Sequence, residues 1–399
     1  MKILTGGEIW VDGGLLSADL AFDEHIEGIG RDFDGTLIDC SGKIILPGMI
    51  DPHVHFRDFD EAYKEDWQSA SAAAAKGGIT TVLEMPNTSP TTTNLDVIKE
   101  KKRRIEASAI NGGIYGGILP ETIKDIPKIA PHVAAFKLYM GMTTGGMIIS
   151  KPDLQKEIFQ RVAETEKVLA VHAQRLESNS EALDIEIVLE LALKTHVKLY
   201  LCHVRTQEGV ELANDAKRDG LDITIETCPH YLFFTDRDVE SKGAWLKVNP
   251  PITTQGDQEY LWDALNSNVI DTLGSDHAPH TIEEKSVPIG AAPFGLPGVE
   301  FSLPLMLDAV NKDRISLEKL IELFSENPAK RFGLSNKAKI EKGLDADLVV
   351  IDMNRIDQIN NENILTKCGW SHYGGFELTG WPIMTFVGGQ LVYQADRTE

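Results

Sequence analysis

From about residue 49 to 335, short apolar runs alternate with segments that read as helices, and no other feature limits the fold as strongly. Strands end near His53–Arg57, Met85-Pro86-Asn87, Gly117–Leu119, Lys137–Met140, His172, His203, Glu226–Pro229 and Ser275-Asp276-His277. Between them, Trp67–Lys76 is alanine-rich and stops at Gly77-Gly78, a helix C-terminal signal. Ser150–Lys167 opens with Ser-Lys-Pro, which predicts a capped helix with proline in its first turn. Glu181–Thr195 and Thr206–Gly220 continue the pattern. Strand and helix alternating eight times predict an α/β chain folded as a (β/α)8 barrel over residues 49–339. A doubly wound open sheet competes, but no GxGxxG follows the first strand.

The two chain ends differ from this middle. Residues 1–48 read as short strands with hairpin turns at Asp12-Gly13-Gly14 and Asp34-Gly35. After Asn327-Pro328-Ala329-Lys330 a helix ends near Gly333, and Gly343–Asp352 turns into a strand. Thr385–Tyr393 is a further strand pair about Gly388-Gly389. Residues 1–48 and 340–399 are therefore expected to form one composite β-sandwich beside the barrel. The length of 399 residues suits a barrel plus such an accessory piece.

Composition narrows the partners. A formal charge of −22 argues against nucleic acid or an anionic membrane. It also means that an anionic small molecule needs a local positive centre. The four cysteines, Cys40, Cys202, Cys228 and Cys368, show no CxxC spacing. No stretch approaches the roughly 20 apolar residues of a membrane span, and no signal-peptide core stands at the N-terminus. A reducing cytoplasm is the expected location.

The chemistry gathers at strand ends, where barrel active sites are built. In Asp51–Arg57, read DPHVHFR, alternation points His53, His55 and Arg57 to one face. Two imidazoles make half a metal site, and a guanidinium beside them can hold a carboxylate. His172, His203 and Asp276 end three further strands, and Lys137 lies in the apolar strand Ala134–Met140. Four histidines and an aspartate at one end of a barrel match a divalent transition metal, zinc above all. A protonated Lys137 would be repelled there. A neutral amine can add carbon dioxide to form an anionic carbamate able to bridge two metals.

Other residues read as ordinary structure. His230 shapes a loop, and His277 points away from Asp276 by alternation. His25, His132, His196 and His372 have no partners by pattern, and Cys202 with Glu226 reads as packing rather than a further metal site. Gly141–Gly146 lacks the Gly-Lys-Ser/Thr ending of a phosphate loop and reads as a flexible loop after strand 4.

Taken together, DPHVHFR, EMPNT, FKLYMG, VHA, LCHV, ETCPHYL, GSDHAPHT and FGLPGVEFSLPL resemble the amidohydrolase superfamily, and within it the dihydroorotases, over almost the whole chain. The resemblance implies an amidohydrolase-type barrel with two Zn2+ per chain. His53, His55 and Asp276 would bind the more buried ion, His172 and His203 the more exposed one. Carboxylated Lys137 and a hydroxide would bridge them, and Asp276 would also shuttle a proton. Arg57, Asn87 and His280 would hold the substrate carboxylate, Asn249 the other end, and Phe294-Gly295 would close over the ring. The implied reaction is the reversible cyclisation of N-carbamoyl-L-aspartate to L-dihydroorotate in pyrimidine synthesis. A homodimer and association with aspartate transcarbamoylase are compatible with it. The rival readings are a hydantoinase-, dihydropyrimidinase- or allantoinase-like cyclic amidase, and a non-catalytic assembly partner. The chain departs from many relatives at Thr253, where arginine is common.

Overall fold

The computed structural model describes residues 1–141, 146–175, 178 and 180–395. The central element is a parallel sheet of eight strands in sequential order. Barrel strands 1 to 8 are Met49–Val54, Ile79–Glu84, Asn111–Gly117, Ala135–Tyr139, Val168–His172, Lys198–Leu201, Ile223–Thr227 and Thr272–Leu273. Strand 8 returns to strand 1 through a parallel bridge between Val54 and His277 and the bond from His55 N to His277 O, 2.7 Å. The carboxylate of Asp51 reinforces this seam by accepting from Ser275 N and His53 N, each at 3.1 Å. A nearly closed (β/α)8 barrel results.

Strands 1, 2, 4, 5 and 7 are buried along their whole length, as parallel strands covered by helices on one side and filled on the other should be. The barrel interior is packed by Leu83, Met85, Tyr115, Ala135, Val168, Ala170, Tyr200 and Cys202. The helix Trp67–Lys76 stands where the sequence predicts it. Its N-terminus carries a reciprocal cap between Asp66 and Ser69, and it ends at Gly77. The next predicted cap does not form. The helix runs over Pro152–Ala163, and Lys151 rather than Ser150 precedes it, with no side-chain cap. Pro152 at the first helical position, which needs no N–H there, sets this start.

The chain ends build two sheets. One has four strands in the order Ile26–Gly30, Asp19–Phe22, Lys2–Thr5, Thr36–Asp39. The other has six and includes Ile44–Pro47 with the long pair Leu348–Gln358 and Glu377–Val387. Leu4, Leu20, Phe22, Ile45, Leu348, Val350 and Phe386 pack between them. The turn at Asp12-Gly13 closes a hairpin, both residues having positive φ (48° and 81°). Asp34-Gly35 does not. The strand after it crosses to the far side of the sheet and pairs in parallel with Lys2–Thr5, leaving Ile26–Gly30 at the opposite edge. The C-terminal part is also not all sandwich: Ile359, Cys368, Trp370 and Tyr373 join the barrel's apolar core. Among the described residues, no helix is long and apolar enough to cross a membrane.

Candidate active site

At the C-terminal mouth of the barrel, a cavity of about 50 Å³ is lined by His53, His55, Arg57, Asn87, Lys137, Tyr139, His172, His203, Val248, Asn249, Asp276, Ala278, Phe294 and Gly295. That space suits a few water-sized ligands. All the residues expected at the site line it except His280. Strand alternation brings in His53 and His55, as expected. The ends of strands 5, 6 and 8 supply His172, His203 and Asp276.

The donor atoms converge. Asp276 Oδ1 lies 3.2 Å from His53 Nε2 and 3.0 Å from His55 Nε2, and His172 Nδ1 lies 3.0 Å from His203 Nε2. His172 Nε2 is buried without a hydrogen-bond partner. Burial above all pushes His55 down to about 4 and His172 down to about 3, and it holds His203 well below its ordinary value, so these rings are neutral. Burial, the largest single influence, would raise Asp276, but His53, His55 and His203 together outweigh it and keep the carboxyl ionised. Burial likewise opposes charge on His53, yet Glu226 and Asp276 together push it up to about 10. Two carboxylates thus converge on one imidazole, an electrostatic setting that a cation satisfies. Neutral imidazoles, an ionised carboxylate and an orphaned ring nitrogen are the donor set a divalent metal needs.

Lys137 is 1 % exposed, and its Nζ donates to Cys202 Sγ at 2.8 Å. Among the described residues no carboxylate comes within ion-pair distance of it.

The backbone is strained where the site is built. Arg57, Asp58, His203 and Asp276 have φ of 59°, 57°, 42° and 47°, in the left-handed region that side chains other than glycine seldom occupy. Gly274, two residues before Asp276, is required by close approach. A Cβ there would lie 2.6 Å from Glu226 Oε2 and 2.9 Å from His53 Cβ.

A model described as the amidohydrolase family matches residues 44–392. The chain belongs to this family. It is 39 % identical over 369 residues to a dihydroorotase of Pyrococcus furiosus, covering 89 % of this chain and 83 % of that one. It is 34 % identical over 388 residues to a dihydroorotase of Methanosphaera stadtmanae, covering 90 % and 87 %. Among solved structures, the L-hydantoinase (dihydropyrimidinase) of Arthrobacter aurescens superposes with a TM-score of 0.94 at 32 % identity, over 98 % of this chain and 96 % of that one.

Several members of this amidohydrolase's site escape a reading of strand ends. Glu226 is not mere packing. Its Oε1 lies 2.8 Å from His53 Nδ1 and accepts from His203 N at 2.8 Å, while Oε2 accepts from Tyr200 Oη at 2.7 Å. It therefore turns His53 Nε2 toward Asp276, as carboxylates behind metal-binding histidines do. The ligating atoms of Cys202, Glu226 and His53 lie within 4.8 Å of one another. Asn87 does for His55 what Glu226 does for His53: its Oδ1 is 2.6 Å from His55 Nδ1. The hydroxyl of Tyr139 is buried, unpartnered and lines the cavity. Its place in FKLYMG, two residues after Lys137, was the available signal.

His280 backs Arg57 instead of lining the cavity. Burial foremost, then the charge of Arg57, pushes His280 down to about 3. Nδ1 lies 3.0 Å from Glu284 Oε2, and Nε2 lies between Arg57 Nη2 at 3.0 Å and Phe294 O at 2.9 Å. Arg57 Nε donates to Pro279 O at 3.0 Å. His277 faces away from the cavity, toward Phe56, with Nδ1 accepting from Gly298 N at 3.1 Å. His25, expected to be alone, lies 3.3 Å from Asp345, a partner 320 residues away that no local pattern reveals. Thr253 Oγ1 donates to Asp257 at the start of the helix Gln255–Asn266. Of the expected flexible loop, residues 142–145 lie outside the described residues.

Proposed function

We propose that this amidohydrolase is a dihydroorotase, interconverting N-carbamoyl-L-aspartate and L-dihydroorotate. One observation carries the reading beyond the relatives' names. Arg57, 2 % exposed, lines the same small cavity as the histidine–aspartate cluster. A chain of net charge −22 that places a buried guanidinium beside a hydrolytic centre is suited to a substrate with its own carboxylate.

His53, His55 and Asp276 would hold one zinc ion, His172 and His203 a second, and Lys137 as its carbamate would lie between them. Such ions, when bound, lower the pKa of water to about 7 and polarise an amide carbonyl. The chain's own groups do the rest. Asp276, kept ionised, accepts the proton of the attacking water and returns it to the ring nitrogen as the amide bond opens; in the cyclising direction it takes that proton back. Glu226 and Asn87 keep His53 and His55 aimed. Arg57 has given its Nε–H to Pro279, so the substrate carboxylate meets its Nη groups, with His280 holding the guanidinium from behind. Asn249 and the Phe294-Gly295 backbone bound the ring's other side, and Tyr139 Oη supplies a further donor.

We also propose that residues 1–48 with 340–399 act as the accessory sandwich and 49–339 as the catalytic barrel. The four buried, unpaired cysteines suit a reducing cytoplasm. A homodimer and association with aspartate transcarbamoylase follow from the family resemblance and enter the reading with it.

The second reading, a hydantoinase-type cyclic amidase, draws on the 0.94 TM-score. Purified protein assayed with dihydroorotate, N-carbamoyl-L-aspartate, hydantoin and dihydrouracil separates the two. Turnover of the carboxylated pair, lost on chelation and restored by zinc, is expected. Turnover of the neutral rings alone would transfer the assignment to the rival.

A further inference from the structure

Lys285 is fully buried, at the end of the short helical turn Ile282–Lys285. Among the described residues no carboxylate lies within ion-pair distance of it. Its Nζ instead donates to three main-chain carbonyls: Lys247 O at 3.1 Å, Pro293 O at 3.2 Å and Gly295 O at 3.1 Å. The three N–H groups of an ammonium match these three acceptors one for one. Burial pulls its pKa down to about 7, while carbonyl acceptors favour the form able to donate to all three. The Trp370 ring centroid lies 5.7 Å from the nitrogen.

These carbonyls belong to two separate segments, and each segment runs directly into the wall of the cavity. Lys247 precedes Val248 and Asn249, and Pro293 precedes Phe294 and Gly295, all four of which line it. One backbone bond, Gly295 N to Lys247 O at 3.1 Å, also joins the segments, and Lys285 donates to that same carbonyl. Gly295 has φ of 140°, and a Cβ there would lie 2.3 Å from Ala278 O, so this wall is held at close quarters. A buried cation without a counter-ion is costly. Its position at the crossing of two substrate-facing loops gives that cost a purpose.

We infer that Lys285 is a positioning residue for substrate binding, an ammonium clasp that holds the Asn249 and Phe294-Gly295 walls in register without touching substrate itself. The inference rests on the dihydroorotase reading for the identity of the substrate, but the clasp can be tested apart from it.

The experiment compares wild type with Lys285→Met, which keeps length and removes the donors. Both proteins are followed by metal content, kcat and KM for dihydroorotate, and amide hydrogen exchange at residues 247–249 and 294–295. A KM raised tenfold or more, kcat within threefold, unchanged metal content and faster exchange confined to these segments are expected. Unchanged KM together with unchanged exchange overturns the clasp, whatever happens to the melting temperature. A fall in kcat at constant KM overturns it as well. If Lys285→Met does not fold, Thr281→Ala takes its place and is judged on the same readouts. It removes the cap in which Thr281 Oγ1 accepts from Glu284 N (3.2 Å) and loosens the turn that carries Lys285; a two- to threefold rise in KM is expected. Absence of turnover by the wild type would fail the dihydroorotase reading alone, since exchange at the two segments still reports on the clasp.

Discussion

The barrel mouth and the terminal sandwich are both buried, and they are built from opposite materials. Between the two sheets, Phe22 meets Phe386 edge to face at 5.3 Å, among Leu4, Leu20, Ile45 and Leu348. At the mouth, His53, His55, Arg57, Lys137, His172, His203 and Asp276, with Asp51 and Glu226 behind them, are withdrawn from water as well. The sandwich contributes transfer free energy and asks nothing of its side chains beyond shape. The mouth gives up that contribution, pays desolvation and holds strained backbone. It is tolerable because many of its polar atoms are paired with one another, His172 Nε2 and Tyr139 Oη being exceptions, and because the surrounding barrel helices are well packed. Stability and chemistry are thus largely assigned to different parts of one chain.

Substitutions can break or sharpen this contrast. The largest effect is expected for Asp276→Asn, which keeps the shape of the mouth but removes its proton carrier. Turnover should fall by about 10³-fold or more, within the range of lost acid–base catalysis, while the melting temperature stays near wild type. A comparable loss of stability with activity intact would reverse the assignment of roles. Phe386→Ala should do the opposite. It is expected to cost about 3–5 kcal/mol, as large-to-small core changes do, with kcat per folded molecule unchanged; chemical denaturation and active-site-normalised assays check both halves. The smallest change sits between the two regions' behaviours. Glu226→Gln should weaken metal binding by about 10- to 100-fold, the usual cost of a lost group behind a ligand, measured by competition with a chelator. If metal affinity holds and only unfolding changes, Glu226 belongs with the structural residues.

The alternation of strands and helices made the barrel legible, and histidines at strand ends made most of the mouth legible. Both signals are local: a period of two and a position before a loop. The errors share a cause. Asp34-Gly35 has hairpin residues, but its outgoing strand was claimed by a parallel neighbour at the chain start. Glu226 looks like any strand carboxylate until His53, 173 positions earlier, is brought against it. His280 was grouped with Arg57 correctly, yet whether it faced the cavity or stood behind the guanidinium depends on how the loop from 278 to 285 folds back.

The sequence by itself determined which residues would stand at the ends of which strands, because side-chain direction along a strand and the strand–helix rhythm follow from backbone geometry. The tertiary structure decided which polar groups stand behind His53, His55 and Arg57, which carbonyls surround the buried amine of Lys285, and which loops meet across the cavity. Those outcomes depend on hydrogen bonds between residues tens to hundreds of positions apart, such as Arg57 to His280 across 223, and they exist only once the barrel has closed.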